Sequence, residues 1–226
     1  MARPRTDIAP RILHAARARF LAEGVEGASL RDIAKDAKTS IGMIFYYFPS
    51  KDDLFQAVIE EAYAGLVRDL EVTLGQGGTA RARLERASSR IGNASAEELD
   101  VVRLIVHEAL LGSPRFDRTF TRFQGGHIAL IAAVLGDGVR DGEVDASLPL
   151  PLLLVSTLGM LALPQVVRRV AGSRPIFAAL PDAESLAGLL SGLLFTGIAS
   201  KAPPTERQEK ASKKVNRARK ARGSKV

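Results

Sequence analysis

Residues 12–61 read ILHAARARFLAEGVEGASLRDIAKDAKTSIGMIFYYFPSKDDLFQAVIEE, and this stretch decides the fold. Apolar residues recur at helical spacing in its first part, and Gly24 follows where a helix would stop. Ser29 and Ser50 each begin a capping-box pattern that opens a further helix. Ser40 is placed to cap a short helix between them, which the proline before Ser50 ends. The stretch therefore predicts two short helices between two longer ones.

The two short helices, over residues 29–48, have the plan of a helix-turn-helix motif. The second helix of that motif enters the major groove of DNA, which is about 12 Å wide, so small and polar residues suit its start. Ser40 and Gly42 meet this requirement. Four consecutive aromatic residues occupy positions 45–48. An aromatic core cluster is the alternative interpretation, but at least two of the four must face outward because a short helix cannot bury four consecutive positions.

The whole stretch resembles the tetracycline-repressor (TetR) family of transcriptional regulators. The landmarks are Phe20, Gly24, Ala28-Ser29, Ile33-Ala34, Ser40-x-Gly42, the aromatic run ending in Phe48, and Lys51-x-x-Leu54. Helical patterns continue to about residue 200 without a strand pattern, which predicts an all-α fold. The resemblance implies an N-terminal three-helix helix-turn-helix domain and a C-terminal helical domain for ligand binding and dimerisation. We place these domains at 1–52 and 53–200, with 201–226 as a basic disordered tail.

In this family the turn and the second short helix contact operator DNA. By the resemblance, Ser29 caps the first of the two short helices and bonds a phosphate. Lys51 meets a phosphate at the start of the next long helix, where the helix dipole also favours an anion. Tyr46 and Tyr47 supply hydroxyls to phosphates, and Tyr46 is the one placed to reach a base. Phosphate contacts set the register, whereas base contacts set the sequence. The predicted DNA-binding residues are Ser29, Lys38, Thr39, Ser40, Ile41, Gly42, Tyr46, Tyr47 and Lys51.

Three residues depart from the usual family pattern. Lys38 stands where glycine is usual, so it either costs about 1 kcal/mol at a turn position with positive φ or adds a phosphate contact. Phe45 replaces the usual tyrosine, which removes one phosphate bond and predicts that this ring packs inward. Ile41 stands where a polar or basic residue is common, and it offers apolar contact, for instance with a thymine methyl group.

Charge is distributed unevenly along the 226 residues, whose formal net charge is +7. Residues 1–51 carry a net charge of +4, residues 52–200 carry −5, and residues 201–226 carry +8. A basic head suits a protein that binds a polyanion. The tail, which lacks the apolar residues for a core, is interpreted either as an arm that strengthens nonspecific DNA binding or as a solubilising segment.

The middle of the chain predicts further helices and one loop. The helices are expected at about 79–93, 95–111, 116–136, 148–172 and 182–199, and the loop at Gly136, Gly138 and Gly142. Residues 146–167 include no charge and have the length of a membrane span, and Gly188-xxx-Gly192 matches a membrane packing motif. Prolines interrupt the first of these segments, so we expect no membrane span. The resemblance instead implies a homodimer through the helices near 148–172 and 182–199.

The same family comparison implies a ligand pocket in the middle helices. A mainly apolar middle is expected to bind an apolar or aromatic effector. The phenylalanines that recur at helical spacing there are more typical of a core, and the two histidines are more typical of local hydrogen bonds. The predicted ligand-binding residues are Arg103, His107, Phe116, Phe120, Phe123 and His127.

Enzymes are disfavoured by what the sequence lacks. It contains no cysteine, which excludes disulfides and thiolate nucleophiles, and its three histidines lie in no recognised catalytic or metal motif. We therefore expect no catalytic residue, metal or cofactor. The expected function is a sequence-specific dimeric repressor, released from a palindromic operator by a small apolar or aromatic molecule. An activator or a ligand-independent DNA binder is the alternative, and a helical enzyme or a membrane-associated protein is a distant one. The first residues lack a signal-peptide pattern, so a cytoplasmic location is expected.

Overall fold

The protein is helical throughout the residues that the structure describes, 7–198. This computed structural model contains eleven α-helices and no strand within that range. The helices are α1 (Ile8–Gly27), α2 (Leu30–Asp36), α3 (Ile41–Tyr47), α4 (Lys51–Gly75), α5 (Ala80–Gly92), α6 (Ala96–Leu110), α7 (Pro114–Phe123), α8 (Ala129–Arg140), α9 (Leu150–Thr157), α10 (Leu163–Ala171) and α11 (Ala183–Ile198). Two π-helical turns, Gln124–Ile128 and Leu158–Ala162, join α7 to α8 and α9 to α10. The predicted all-α fold is confirmed.

Serine side chains begin several of these helices, as the sequence predicts. At the start of α2, Ser29 Oγ accepts a hydrogen bond from Arg31 N at 3.2 Å, and Ser40 caps α3 in the same manner at 3.3 Å. Ser95 and Glu98 form a complete capping box at α6, with bonds of 2.7 and 3.1 Å. Each cap satisfies a backbone N–H that has no partner inside the helix, so local sequence determines where these helices begin.

Helices α1, α2, α3 and the start of α4 share one apolar core. The rings of Phe20 in α1 and Phe55 in α4 are fully buried and meet edge to face, with their centroids 6.0 Å apart. Ile33 of α2 and Ile44 of α3 are buried to the same degree. Because Ile44 anchors α3 from inside, the opposite face of this short helix is held outward.

The predicted helix over 116–136 and the glycine loop after it differ from the structure. The π-helical turn divides the helix, and α8 then continues to Arg140 instead of ending at the glycines. Gly138 lies in the last turn of α8, where an added Cβ would be only 2.9 Å from side-chain atoms of Ala80 and Val144. A glycine here therefore allows close packing of helices rather than a turn.

Helices α9 and α10 form one long apolar helix, Leu150–Ala171, across their π-helical turn. Pro149 precedes it and Pro151 lies in its first turn, where a missing N–H costs nothing. Pro164 follows the π-helical turn directly, and such a turn relieves the clash that proline causes with the preceding turn. This 22-residue helix contains an 18-residue window with a mean hydropathy of 1.9, and it is long and apolar enough to cross a membrane by length and composition. A core helix of a water-soluble protein meets the same criteria, so this is weak evidence for a membrane.

The small residues of α11 pack against α5 within the same chain. Ser191 Oγ donates a hydrogen bond to Glu85 Oε2 at 2.6 Å. A Cβ at Gly188 would lie 3.6 Å from the Glu85 carboxylate, and one at Gly192 would lie 3.4 Å from the Arg81 guanidinium. The Gly-xxx-Gly pattern therefore admits long charged side chains of α5, which gives it a role unrelated to membrane packing.

The chain folds as two compact units that do not follow its linear order. The first contains the residues up to Glu71 together with Ala94–His127, and the second contains Val72–Asn93 together with the residues from Ile128 onward. The sequence-based boundary near residue 52 lies at the start of α4, inside the first unit. The division by function at that position stays a prediction, and the tail at 201–226 lies outside the described residues.

Candidate nucleic-acid interface

The outward face of α3 presents the residues expected to read DNA. Tyr46 is 76% exposed, and Ile41 and Gly42 are exposed one turn earlier. Phe45 is 48% exposed, so the prediction that this ring packs inward is wrong. Its position explains the difference: Ile44 occupies the core-facing site of this short helix, and the next residue is rotated away by about 100°. The outcome is a protruding face of small, apolar and phenolic groups.

The turn between α2 and α3 contains a lysine in a left-handed conformation. Lys38 has a φ of 51°, and it is the one residue other than glycine with positive φ among residues 7–198. Hydrogen bonds fix the turn on both sides: Lys38 N donates to Lys35 O at 3.0 Å, and Thr39 N donates to Ala34 O at 2.9 Å. Of the two alternatives for Lys38, the positive φ is therefore observed, while the phosphate contact stays a prediction, and the side chain is exposed.

Two residues of α1 lie beside this turn and escaped the sequence analysis. Arg11 and His14 line an open groove that Asp36, Ala37 and Lys38 complete. The groove brings Arg11 and His14 to the same side of the helix-turn-helix motif as Lys38, together with the carboxylate of Asp36. Their spacing of three residues on a helix places them on one face, which is the signal that could have identified them.

Ser29 and Lys51 each have a structural role as well as a predicted one. The Ser29 oxygen accepts the α2 capping bond, which leaves its O–H available to donate to a phosphate. Lys51 Nζ donates to the carbonyl oxygens of Glu26 at 2.8 Å and of Ala28 at 3.3 Å. The ammonium group thus ties the end of α1 to the start of α4, and it has one N–H left for an anion.

Exposed ion pairs fasten α1 to α2. Arg19 bonds both Asp36 and Glu23 at 2.7 Å. The hydrogen bond from Arg19 holds the pKa of the Asp36 carboxyl below its usual range, and the two carboxylates raise the pKa of Arg19. Arg17 is 8% exposed and donates to Glu97 of α6 at 3.0 Å. Arg17 and Arg19 of α1 thus hold the motif in place rather than pointing at DNA.

The residues predicted to bind an effector divide into separate places. Arg103 is exposed and pairs with Asp100 of its own helix at 3.2 Å, and His107 is exposed beside Glu108. The rings of Phe116 and Phe120 contact each other, with centroids 5.9 Å apart. These four residues do not form one closed site in the described part of the chain.

Phe123 and His127 meet around Tyr63 of α4, a residue that the sequence analysis missed. The Tyr63 ring lies 4.9 Å from Phe123, and its hydroxyl lies 2.9 Å from His127 Nδ1 and accepts the His127 N–H at 3.2 Å. The π-helical turn wraps this hydroxyl so closely that a side chain at Gly126 would overlap it. Nothing local indicated this contact, because Tyr63 and His127 are 64 residues apart.

Burial controls the ionisation of this cluster. It lowers the pKa of His127 to about 4, so the imidazole is neutral near neutral pH, and it raises the pKa of the Tyr63 hydroxyl. The Arg122 guanidinium lies 5.1 Å above the Tyr63 ring and is paired with Glu60 at 3.0 Å. The cluster therefore presents aromatic surface and neutral hydrogen-bonding groups.

Comparisons with known proteins agree with this geometry. Residues 12–58 match the family described as bacterial regulatory proteins, tetR family. The HTH-type transcriptional repressor SCO4008 of Streptomyces coelicolor is 26% identical over 167 residues, which cover 72% of this chain and 82% of that protein. The nicotine-responsive repressor HdnoR of Paenarthrobacter nicotinovorans is 46% identical over 48 residues, which cover 21% of this chain and 25% of that protein.

Solved structures share the fold over most of the chain. FadR of Bacillus subtilis in complex with stearoyl-CoA has a TM-score of 0.65 at 19% identity, and the match covers 84% of this chain and 98% of that chain. The matched residues 12–58 contain the capped α2, the turn at Lys38 and the exposed face of α3. Residues 12–58 therefore form a DNA-binding segment of the tetR type, and the comparisons support a DNA-binding transcriptional regulator.

Proposed function

We propose that this regulator is a dimeric repressor whose α3 enters the major groove of a palindromic operator. The observation that carries the proposal is the outward face of α3, held in place by Ile44 on its buried side. Ser40, Ile41 and Gly42 then meet base edges, and Ile41 favours a thymine methyl group because it has no polar atom. Exposed Phe45 adds a second apolar contact on the same face.

Phosphate contacts are expected to surround this base-reading face. Lys38 supplies a charge from the turn, and Ser29 and Thr39 supply hydroxyls beside it. Tyr46 and Tyr47 extend from the far end of α3, and the remaining N–H of Lys51 points to the same strand in our proposal. Together these groups would fix the register of α3 in the groove, since phosphate contacts position a protein without reading sequence.

An uncovered apolar face supports a homodimer through the helices near 148–172 and 182–199. Leu152, Val155 and Leu163 are 52–70% exposed on the long helix, and Leu189 and Leu193 of α11 are 62–67% exposed. Their spacing of three, four or eight residues places them along one side of each helix. Such a face in a regulator is best covered by a second copy, because a dimer presents two α3 helices to half-sites about 34–36 Å apart.

The effector is proposed to be a small, mainly apolar or aromatic molecule with a hydrogen-bonding group. Tyr63, Phe123 and His127 support this through their aromatic surfaces and neutral polar atoms. Among similar proteins, FadR was solved with stearoyl-CoA, which has a long apolar acyl chain, and HdnoR responds to nicotine, which has an aromatic ring. Release of operator DNA by such a ligand in the cytoplasm completes the proposal, and an activator or a ligand-independent binder remains the alternative.

A DNA-binding titration tests the central proposal. Fluorescence anisotropy with DNA from upstream of its own gene, and with palindromes selected from a random pool, should give saturable binding by the wild type. Tyr46→Ala should weaken binding about tenfold, ~1.4 kcal/mol, without lowering stability, because this side chain is exposed. Val72→Ala, an exposed apolar residue of α4 outside the interface, is the matched control and should bind as the wild type does. If the wild type binds none of these DNAs, the proposed function is wrong.

A further inference from the structure

A ladder of side-chain contacts joins α7 to α4 along three turns. Asp52 accepts from Arg115 Nε at 2.6 Å, Gln56 Nε2 donates to Thr119 Oγ1 at 3.3 Å, and Glu60 accepts two bonds from Arg122 at 3.0 and 3.1 Å. The next rung is the contact of Tyr63 with Phe123. The positions increase together on both helices, so α4 and α7 run in the same direction and are held side by side.

Arg115 is the first rung, and it joins more elements than any other rung. Its guanidinium, 13% exposed, bonds Glu26 at the end of α1, Asp52 at the start of α4, and Glu108 of α6 at 3.2 Å. Glu108 is 3% exposed, so its carboxylate depends on Arg115 for compensation of its charge. We call α1, α2, α3 and the start of α4 the DNA-binding head. Arg115 therefore connects both ends of this head to α6 and α7 within one compact unit.

The chemistry of this junction is specific to arginine. A guanidinium has five N–H donors in a planar fork, so it bonds three carboxylates in different directions at once. Lysine has a single nitrogen on a flexible stem and cannot match that geometry. Three carboxylates also raise the pKa of Arg115 through their hydrogen bonds, against the lowering by burial, so the pairing is independent of pH near neutrality.

We propose that Arg115 is a positioning residue that fixes the direction of the DNA-binding head, and that the selectivity for operator half-site spacing depends on it. This inference rests on the proposed function as a dimer on palindromic DNA. In such a dimer each half-site must meet an α3 in a defined place, and one added base pair shifts it by about 3.4 Å and roughly 35°. A firmly held head tolerates no such change, whereas a loosened head follows the shifted half-site.

The same ladder places the junction in line with the aromatic cluster. Tyr63, Phe123 and His127 lie at its far end, about three turns along α4 from Asp52. An effector that separates those rings would act on the same two helices that Arg115 holds together. Arg115 is thus the point at which a displacement of α7 reaches Glu26 and Asp52 of the head.

The test compares binding to three kinds of DNA by a variant that removes the junction without adding charge. Glu108→Gln with Arg115→Gln neutralises both members of the buried pair, so no unpaired charge is left inside. The probes are a single half-site, the best selected palindrome, and the same palindrome with one base pair inserted or removed at its centre. We expect the variant to bind the half-site within about twofold of wild type and the palindrome about tenfold more weakly, with little difference between the spacings. A loosely held second head has a lower effective concentration at its half-site, which weakens binding to the palindrome.

The matched control is Asp53→Asn with Arg118→Gln, an exposed pair of the same two helices at 3.7 Å. It removes the same charges and should keep the wild-type preference for one spacing. Should the junction variant melt far below the wild type, Glu26→Gln with Asp52→Asn makes the same test and keeps the buried pair of Arg115 with Glu108. This variant has two fewer negative charges, so its affinity for every DNA probe rises together. The ratio of its affinities for the different spacings therefore still shows whether the head is firmly held.

Three outcomes overturn the inference, and the third also contradicts the proposed function. Junction variants that keep the wild-type spacing preference show that Arg115 does not position the head. Variants that lose half-site and palindrome binding equally show that the junction only maintains the fold of the head. A wild type that prefers no spacing contradicts the proposed dimer on palindromic DNA, and therefore the inference as well. When the inference alone fails, the wild type still prefers one spacing.

Discussion

Lys38 combines a backbone cost with a well-placed charge. Its φ of 51° lies in the left-handed region, where a side chain costs about 1 kcal/mol relative to glycine. Because the lysine side chain lowers stability at this position, we expect it to contribute to DNA affinity. We propose that its ammonium group, which lies beside the start of α3, makes one phosphate contact.

Replacing Lys38 should therefore move stability and DNA affinity in opposite directions. Lys38→Gly should raise the free energy of unfolding by about 0.5–1 kcal/mol, and it should reduce the salt dependence of DNA binding by about one unit of slope. Urea denaturation and anisotropy titrations at several salt concentrations measure the two effects. Lys38→Gln keeps the strained backbone and should show only the loss of binding. Equal DNA affinity in all three proteins would remove Lys38 from the interface.

His127 should make stability depend on pH in a defined window. Burial lowers its pKa from 6.5 to about 4, so between these values the unfolded chain binds a proton that the folded chain does not. Stability is therefore complete above pH 6.5 and decreases as the pH falls towards 4, with a slope approaching about 1.4 kcal/mol per pH unit. Carboxylates with lowered pKa values, such as Asp36 and Glu26, begin to lose their contribution only near about pH 5, so the slope above that pH reports His127.

Thermal denaturation at half-unit steps from pH 7.5 to 4.5 measures the slope. His127→Gln keeps a polar side chain near Tyr63 and removes the titration, so most of the slope should disappear in this variant. A variant that retains the full acid sensitivity of the wild type would assign that sensitivity to other groups.

At the scale of helices, the π-helical turn after α7 depends on one glycine. Gly126→Ala adds a methyl group that overlaps the Tyr63 hydroxyl, and we expect it to lower the free energy of unfolding by about 1–3 kcal/mol. Gly125→Ala is the matched control, because nothing lies within 4 Å of its added Cβ. In a Tyr63→Phe background the cost of Gly126→Ala should fall, since the overlapping oxygen is gone. An unchanged cost in that background would place the strain elsewhere.

Local sequence patterns predicted where these helices begin better than they predicted the π-helical turns that join them. The caps at Ser29, Ser40 and Ser95 depend on neighbours within three residues, and all three form as expected. Both π-helical turns were missed, since a π turn in mid-helix reflects what packs against it rather than a local motif. The role of Gly126 depends on its packing against Tyr63, which lies 63 positions earlier in the chain, so the local sequence does not reveal it.

The candidate interface was more predictable than the candidate effector site for the same reason. The helix-turn-helix motif occupies consecutive residues, so the family resemblance could be carried over residue by residue, and it identified the positions of Lys38 and Tyr46. The effector residues depend on helices that are distant in sequence. The family resemblance and residue type selected Phe123 and His127, but they could not join these residues to Tyr63 or separate them from exposed Arg103.

For the whole molecule, assembly should depend on the uncovered face of the last helices. Leu193→Glu introduces a charge at a residue of α11 that is 67% exposed, so the isolated subunit should fold normally. We expect a monomer at micromolar concentration by sedimentation velocity and at least tenfold weaker binding to palindromic DNA. Leu110→Glu, at an 83% exposed residue of α6, is the control and should remain dimeric. A monomeric wild type at the same concentration would contradict the proposed interface.

The partners of Arg115 also determine when the head is completed during synthesis. Residues 12–58 contain the segment that matches the tetR family and leave the ribosome early, yet the guanidinium that fastens Asp52 arrives 63 residues later. At a translation rate of about 5–20 residues per second, that delay is roughly 3–13 s. Over this interval the nascent chain holds the residues of the helix-turn-helix motif without their attachment to α7. A truncated gene that stops before α6 would leave it in that state permanently.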